Sequence, residues 1–582
     1  MHSPTISRRQ MLAAGALATA AIAAPLAHAS ETALPSGTYT GVAQGRSGDV
    51  EVEVYVDKGC VLGIDVLRSS ETATISDAAV DQVASDIVRY QTLGVDTVSG
   101  ATLTSLAVIN AVRNALGDGA LSEDAPAYPA PEAADCSCDV VVVGAGSAGM
   151  LAALEAAPSA QVILVEKQGL LGGGDTMFAS SGLAGGGGYT VYKQGIEGAT
   201  EQDYLDAKLA SAEKTGLPVD VENLSAYSLL SGEALDRYLA LGVPFGKYNP
   251  KTFSNTTDDG SSPGTHIIKR LGEAVRRAGI DTRLNTKLVS IVMDGDRAAG
   301  VVVENPTGQY TISAKAVILA CGGFGYNEDM LATYAQAERY IGLPHSGAVS
   351  AKGEGILAAR EIGAALSNMT AVKANNICHV AENGAVISLA AIQSIAALVN
   401  ANGERFVSES GTTIDQKSEA ELDQPGQGAW AIFDQVSMDE KALLRGYDAL
   451  GYFAQGNTWE ELAAAMELDA SATQNFVNAM TAWQQAGEGA EDPDFGGTVV
   501  NGFVKAPYYA AAVKPAMQST YGGVTTDPEA RALREDGSAI PGLYAAGAVS
   551  GHGCFGNAVG NGLTIASVFG MVAARTAVAE LA

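Results

Sequence analysis

Asp139-Val-Val-Val-Val143 runs directly into Gly144-Ala-Gly146-Ser-Ala-Gly149 and then into Met150-Leu-Ala-Ala-Leu-Glu-Ala-Ala157. An unbroken apolar run without polar alternation reads as a strand buried on both faces, and the Ala- and Leu-rich segment after the glycines reads as a helix. Glycines at 144, 146 and 149 make room for a pyrophosphate at the helix N-terminus, where unpaired amides favour negative charge. A second strand, Gln161-Val-Ile-Leu-Val165, finishes at Glu166, where a carboxylate can bind both ribose hydroxyls of a dinucleotide. The order and spacing predict an α/β, Rossmann-like dinucleotide fold held through Gly144, Gly146, Ser147, Ala148, Gly149, Glu166 and Lys167. NAD and FAD both suit such a unit.

The unit cannot be the whole molecule. At 582 residues the chain is several times the usual domain size of about 150 residues, which predicts two or three folding units. Apolar residues at 47% against 17% charged exclude global disorder. With 35 basic and 65 acidic residues the net charge is -30, which opposes nucleic acid and anionic membrane surfaces. The same charge suits a cationic protein partner or a plain solvated surface. Six cysteines, at 60, 136, 138, 321, 378 and 554, are too few for a disulfide framework, leaving free thiols or long-range pairing open. No Cys-x-x-Cys-His occurs, so no covalent c-type haem is expected in this chain, and no Cys/His spacing suggests a metal site.

At the amino terminus, Ser7-Arg8-Arg9-Gln10-Met11 precedes an uncharged stretch from Leu12 to Leu26, and Ala27-His28-Ala29 offers a cleavage point before Ser30. Residues 1–29 resemble a twin-arginine signal peptide, a type that exports folded, cofactor-loaded proteins. An uncleaved anchor is the other reading, although the run is short for a span of about 20 residues. The mature chain is accordingly expected outside the cytoplasmic membrane, in the periplasm or at the cell surface.

Residues 36–117 predict a small α+β domain. Val50-Glu-Val-Glu-Val-Tyr-Val56 alternates apolar and charged residues, Asp57-Lys58-Gly59 turns, and Val61 to Leu67 resumes the extended pattern, giving a hairpin with one wet face. Helical patterns follow from about Asp77 to Tyr90 and from about Leu103 to Leu116. Between them lies Asp96-Thr-Val-Ser99-Gly100-Ala-Thr102, hydroxyls and a glycine just before a helix N-terminus, which can be a plain cap or a phosphate site. This run resembles the Asp-x-x-Ser-Gly-Ala-Thr signature of FMN-binding domains. The resemblance implies FMN joined covalently to Thr102 through a phosphoester, made by a dedicated flavin transferase. Residues 118–137, rich in Asp, Glu, Pro and Ala, read as an extended linker on which this domain could pivot.

Further markers follow the dinucleotide unit: Gly172-Gly173-Gly174-Asp175-Thr176, Ser181-Gly182, Val317-Ile-Leu-Ala-Cys321-Gly322-Gly-Phe324, Pro541-Gly-Leu-Tyr-Ala-Ala-Gly547 and Gly560-Asn561-Gly562-Leu563-Thr564. In order, they resemble the markers of the fumarate reductase/flavocytochrome c superfamily of FAD-dependent flavoproteins. The resemblance implies non-covalent FAD contacted by Gly173, Gly174, Asp175, Thr176, Ser181, Gly182, Val289, Cys321, Gly322, Gly547, Asn561, Gly562 and Leu563, with Glu354 of Gly353-Glu354-Gly355 as a weaker contact. It also implies an FAD-binding domain in two parts, 138–378 and 518–582, with an α+β clamp at 379–517 inserted between them. Asn400-Ala-Asn-Gly-Glu-Arg405-Phe-Val-Ser-Glu409 resembles the family's clamp hairpin, with Arg405 in a structural role.

At the chemistry the chain departs from the fumarate pattern. Flavin reduction of an activated alkene needs a hydride, a proton donor and groups that polarise the conjugated carbonyl. Arginines of the fumarate reductases align with Ile392, Ile414 and Asn557, and their His-Thr-Met-Gly-Gly reads Ser519-Thr-Tyr521-Gly-Gly. Isoleucine cannot donate a proton, and the charges that would hold two carboxylates are gone. A neutral or aromatic enoate or enone is therefore expected in place of a dicarboxylate. The remaining catalytic candidates are His379, as an active-site or a clamp-hinge group; Tyr521, as a proton donor or as packing; and His552, as an FAD contact or an acid.

The reading is an exported two-flavin reductase of the urocanate reductase type, in which electrons pass from FMN to FAD and leave as hydride to a small unsaturated acceptor. An external donor, such as a membrane cytochrome or flavoprotein, is expected. Two alternatives are a 3-ketosteroid dehydrogenase-like enzyme and a non-catalytic electron shuttle.

Overall fold

A computed structural model describes residues 34–45, 48–69, 75–98, 102–126, 132–179, 182–216, 219–258, 262–335, 338–381, 384, 386–551 and 561–581. The amino-terminal signal with Arg8 and Arg9, and Ser99 to Ala101, Ser181, His552, Cys554 and Asn557, lie outside these residues.

Strand Cys136–Val143 sits inside an eight-stranded sheet, parallel to Gly308–Leu319 on one side and to Val162–Val165 on the other. Its apolar run is explained by burial on two faces. Val140 and Val142 join one core with Leu164, Ile318 and the helices Ser147–Ala156 and Gly562–Ala579. Val141 and Val143 join a second core with Ile163, Val165, Val317 and Leu319. Strand Ala539–Ala545 pairs parallel to Gly308–Leu319, so the carboxyl-terminal part of the chain returns to the same sheet. Ligands of open α/β sheets bind beyond the carboxyl ends of the strands, and Gly144, Glu166, Ala320 and Ala546 all stand there.

The amino-terminal unit is a three-stranded antiparallel sheet, Gly37–Gln44, Asp49–Asp57 and Cys60–Ser69, covered by helices Ile75–Tyr90 and Thr102–Leu116. Val50, Val52, Val54 and Val56 are buried on its inner face, as alternation requires. The first strand alternates in burial, with Tyr39, Gly41 and Ala43 less exposed than their neighbours, but not in composition, and is an addition to the expected hairpin. The linker is a correction. Ser122 and Asp124 carbonyls accept the Thr92 hydroxyl at 2.9 and 2.8 Å, which pins its first half to the amino-terminal unit. Asp135 accepts the Thr311 amide at 2.8 Å, and Cys136 and Ser137 already belong to the large sheet. Leu170 packs against the cores of both units, so the two meet beside the loop that follows Glu166.

The insertion is built on a six-stranded sheet centred on Tyr508–Thr520. Its strands Val372–Val380 and Tyr508–Thr520 cross the expected limits at 378/379 and 517/518, because both run without a break from clamp to FAD domain. Arg405 closes the clamp from within. Its guanidinium meets Asp492 at 2.7 and 2.8 Å, Glu409 at 2.5 Å and Asp494 at 2.7 Å, and lies 4.0 Å over the Trp483 ring.

Candidate active site

One cavity follows the carboxyl ends of the parallel strands and continues against the clamp sheet. Gly144 sets its floor: φ is +102°, and a Cβ there would stand 2.5 Å from the Ala320 carbonyl oxygen. A Cβ on Gly149 would stand 1.8 Å from the Gly144 carbonyl, so this glycine supports the turn and does not face the cavity. Helix Ser147–Ala156 begins at Gly146, which has no side chain to cap it; Thr176 Oγ1 accepts the Ser147 amide at 3.3 Å, and the helix N-terminus favours an anion. Gly144, Gly146, Ser147 and Ala148 line the cavity there. Thr176 ties the facing loop to this turn, its hydroxyl donating to Ser147 Oγ at 3.0 Å.

Glu166 is fixed by two backbone amides, Ala145 at 2.7 Å and Gln168 at 2.8 Å, and burial raises its pKa despite those bonds. The carboxylate oxygens keep lone pairs for ribose hydroxyls. Lys167 pairs with Glu354 at 2.6 Å, and both line the cavity beside Glu166. Cys321, Gly322, Gly174, Gly182 and Gly547 line it further along, and burial pushes the Cys321 thiol up to about 12. Gly173 is absent from the wall; a Cβ there would approach the Gln168 side chain at 3.2 Å. Asn561 caps helix Gly562–Ala579 by accepting the Thr564 amide at 3.2 Å, and Gly562 and Leu563 present that helix's first turn to the cavity. A helix N-terminus stabilises negative charge developing on a flavin ring. The first helix N-terminus, the fixed acid and this second helix end fit the pyrophosphate, ribose and ring of FAD.

Asp175 also lines the cavity, in the position where the family markers carry Asn. Its carboxyl accepts the Ala348 amide at 2.7 Å, while burial pushes its pKa up to about 6. A carboxyl whose folded pKa exceeds the unfolded 3.8 binds more protons in the folded chain, so its contribution to stability declines as pH rises from 3.8 through about 6. Asp175→Asn is therefore expected to raise the melting temperature by a few degrees at pH 7.5. The gain should shrink as pH falls through about 6 and vanish below the unfolded value of 3.8. Thermal melts across that range check this, and an equal gain at every pH would refute it.

Two expected residues are placed differently. Val289 is 38% exposed and stands outside the cavity, whereas Thr286, Lys287 and Leu288 line it; Val289 falls at a bulge, between Leu288 and Ser290, in the pairing of Lys287–Asp294 with Arg297–Asn305. His379 is a clamp residue, bonded through Nδ1 to the Ala512 carbonyl at 2.9 Å with its ring against Tyr452, and does not reach the cavity. His552 lies outside the described residues, as does Ser181. Thr102 opens helix Thr102–Leu116, and Ser105 accepts the Val98 amide at 3.0 Å, tying Val98 to that helix.

Tyr521 does line the cavity, with Gln518, Ser519 and Thr520 beside it and Lys373 on the neighbouring strand. Lys373 carries no motif and was reached only through the fold. Among the described residues no arginine or histidine lines the cavity. Leu389 and Ile392 are buried in the clamp's apolar core.

Comparison with known proteins agrees with this geometry. A family described as FAD binding domain matches residues 139–565, and one described as FMN-binding domain matches residues 45–117. Urocanate reductase of Eggerthella lenta is 32% identical over 99% of this chain and 99% of its own length. The chain belongs to the fumarate reductase-type FAD-dependent oxidoreductases. A probable fumarate reductase of Shewanella frigidimarina is 33% identical over 75% of this chain and 74% of its own. The open conformation of a flavocytochrome c3 fumarate reductase superposes with a TM-score of 0.63 at 31% identity, covering 76% of this chain and 78% of that one. As a member of this family the chain is an FAD-dependent reductase of C=C bonds, and it carries a second flavin, FMN, in its amino-terminal unit.

Proposed function

We propose that this enzyme is an exported reductase that accepts electrons at FMN on Thr102, passes them to FAD and delivers them to a conjugated alkene bearing one carboxylate or a neutral carbonyl. Bound FAD supplies the hydride. The protein supplies the rest: the clamp strands Val372–Val380 and Tyr508–Thr520 bring Lys373, Ser519 and Tyr521 to the wall where an alkene would lie, and the clamp excludes water there. The absence of arginine from the described wall carries the choice of substrate, since two carboxylates would need two cations. The full-length similarity to a urocanate reductase supports an aromatic enoate. Export by the twin-arginine route, an extracytoplasmic location, a flavin transferase and an external cytochrome or flavoprotein donor complete the proposal.

The test is anaerobic reoxidation of a reduced viologen dye by the holoprotein with urocanate, cinnamates, fumarate and steroid enones. Turnover of aromatic enoates at least about tenfold faster than of fumarate is expected, a difference of about 1.4 kcal/mol in transition-state binding. Rapid fumarate turnover would refute the substrate assignment. Turnover of steroid enones alone would favour a steroid enzyme, and dye oxidation by none of them would favour an electron shuttle.

A further inference from the structure

A saturated product requires a proton as well as a hydride, and the described cavity wall holds few groups that can give one. Glu166 is held by the Ala145 and Gln168 amides at the ribose end, Asp175 by the Ala348 amide next to Thr176, which bonds Ser147 at the helix mouth, and Cys321 is a poor acid, because burial pushes its thiol up to about 12. Lys167 is committed to Glu354 at 2.6 Å at the ribose end, and Lys287 to Glu304 at 3.1 Å near the surface. Lys373 differs from both in position. In the antiparallel pairing of Val372–Val380 with Tyr508–Thr520 it stands opposite Ser519, and residues directly opposite share a face, so both reach the cavity. The Tyr521 amide donates to the Ala371 carbonyl at 2.9 Å, which keeps Tyr521 beside the same stretch of strand.

Behind the strand lies helix Ile414–Leu422. Ser418 Oγ donates to the Ala374 carbonyl at 2.8 Å, which places the helix across this end of the strand, and Asp415 in its first turn acts electrostatically on Lys373. Lys373 thus reaches the cavity from a strand packed against the helix that carries Asp415. Burial lowers the lysine pKa, making it a stronger acid, while Asp415 favours its protonated form. Tyr521 can donate a proton but brings no positive charge, and among the described residues no arginine lines the wall to meet the charge growing on the substrate carbonyl.

We propose that Lys373 is the catalytic acid of this reductase. The inference rests on the alkene reductase reading above. As the hydride forms a C–H bond at one alkene carbon and the π bond breaks, the Lys373 Nζ–H bond breaks and its proton forms the second C–H bond. The substrate gains two electrons from reduced FAD, which is left oxidised until the external donor refills it through FMN. The amine regains its proton from solvent, with Asp415 holding the ammonium in place.

The experiment compares holoprotein carrying Lys373→Met, Lys373→Arg or Lys373→Ala with wild type on the best alkene of the panel. Lys373→Met is expected to lower kcat by about 100-fold or more, the usual contribution of a positioned acid. The anaerobic rate of FAD reduction by dithionite and the FAD content should be unchanged, and substrate should still perturb the flavin absorbance on binding. Lys373→Arg should recover part of kcat, and added small primary amines should partly rescue Lys373→Ala, results a structural role would not produce. Tyr521→Phe should cost less than Lys373→Met. A kcat for Lys373→Met within about tenfold of wild type, with wild type active, would overturn this inference and leave the reductase reading standing. Wild type inactive on every alkene would overturn both. If Lys373→Met loses FAD, the amine response of Lys373→Ala decides, and no rescue there overturns the proposal.

Discussion

Thr102→Ala yields a chain without covalent flavin that still holds FAD. Thr102 stands at the N-terminus of helix Thr102–Leu116, where amides can hold a phosphate, and Ser105 of that helix accepts the Val98 amide. With the hydroxyl gone no phosphoester can form, so the intact mass should fall by one FMN residue and in-gel flavin fluorescence after denaturation should disappear. FAD released by denaturation should remain at one per chain, because among the described residues its cavity is lined from Val143 onward and by none of the amino-terminal unit. Physiological-type donors should then lose most of their rate, while dithionite still reduces FAD directly. Covalent flavin surviving in Thr102→Ala would remove the attachment site from the account.

Arg405→Met is expected to cost about 3–5 kcal/mol of stability, the usual penalty for stripping the partner from a buried charge. Arg405 and the side chains of Glu409 and Asp492 are each 1% exposed, so the carboxylates have no access to water once the guanidinium leaves. In the wild-type chain burial raises the Asp492 pKa, but Arg405 more than offsets this and holds it below the ordinary value. In the variant the two carboxyls would prefer to be protonated, so the loss should be largest near pH 8 and shrink as pH falls towards 5. Calorimetry on both proteins checks it; a loss below about 1 kcal/mol at pH 8 would show that the pairs do not matter to the clamp.

The dinucleotide unit was legible because its signals are local. Val140–Val143, the three glycines and Glu166 each report a backbone requirement within a few residues, and the structure gathers Gly144, Gly146, Ser147, Ala148, Glu166 and Lys167 on one wall. Lys373 was illegible for the opposite reason. Its place in the cavity depends on a register with Ser519, far away in the chain, and on a helix that crosses the strand from the other side. Of the two roles open to His379 the structure supports the clamp one, since its ring bonds the Ala512 carbonyl and packs on Tyr452. Val289 misses the cavity because it falls at a bulge between Leu288 and Ser290, which interrupts the strand alternation. The clamp limits fell inside two strands because a change of domain need not interrupt a sheet, and no turn residue marks the crossing. Strand Gly37–Gln44 escaped because its outer face is largely exposed and its composition is mixed.

The central claim is that two flavins in one chain feed one alkene site. The direct test mixes fully reduced, dye-free holoprotein anaerobically with urocanate or the best alkene of the panel, follows the return of oxidised-flavin absorbance and counts saturated product. Each flavin holds two electrons, so the account predicts two products per wild-type chain and one per Thr102→Ala chain. Flavins that remain reduced in the presence of every alkene, or the same yield from both proteins, would contradict it.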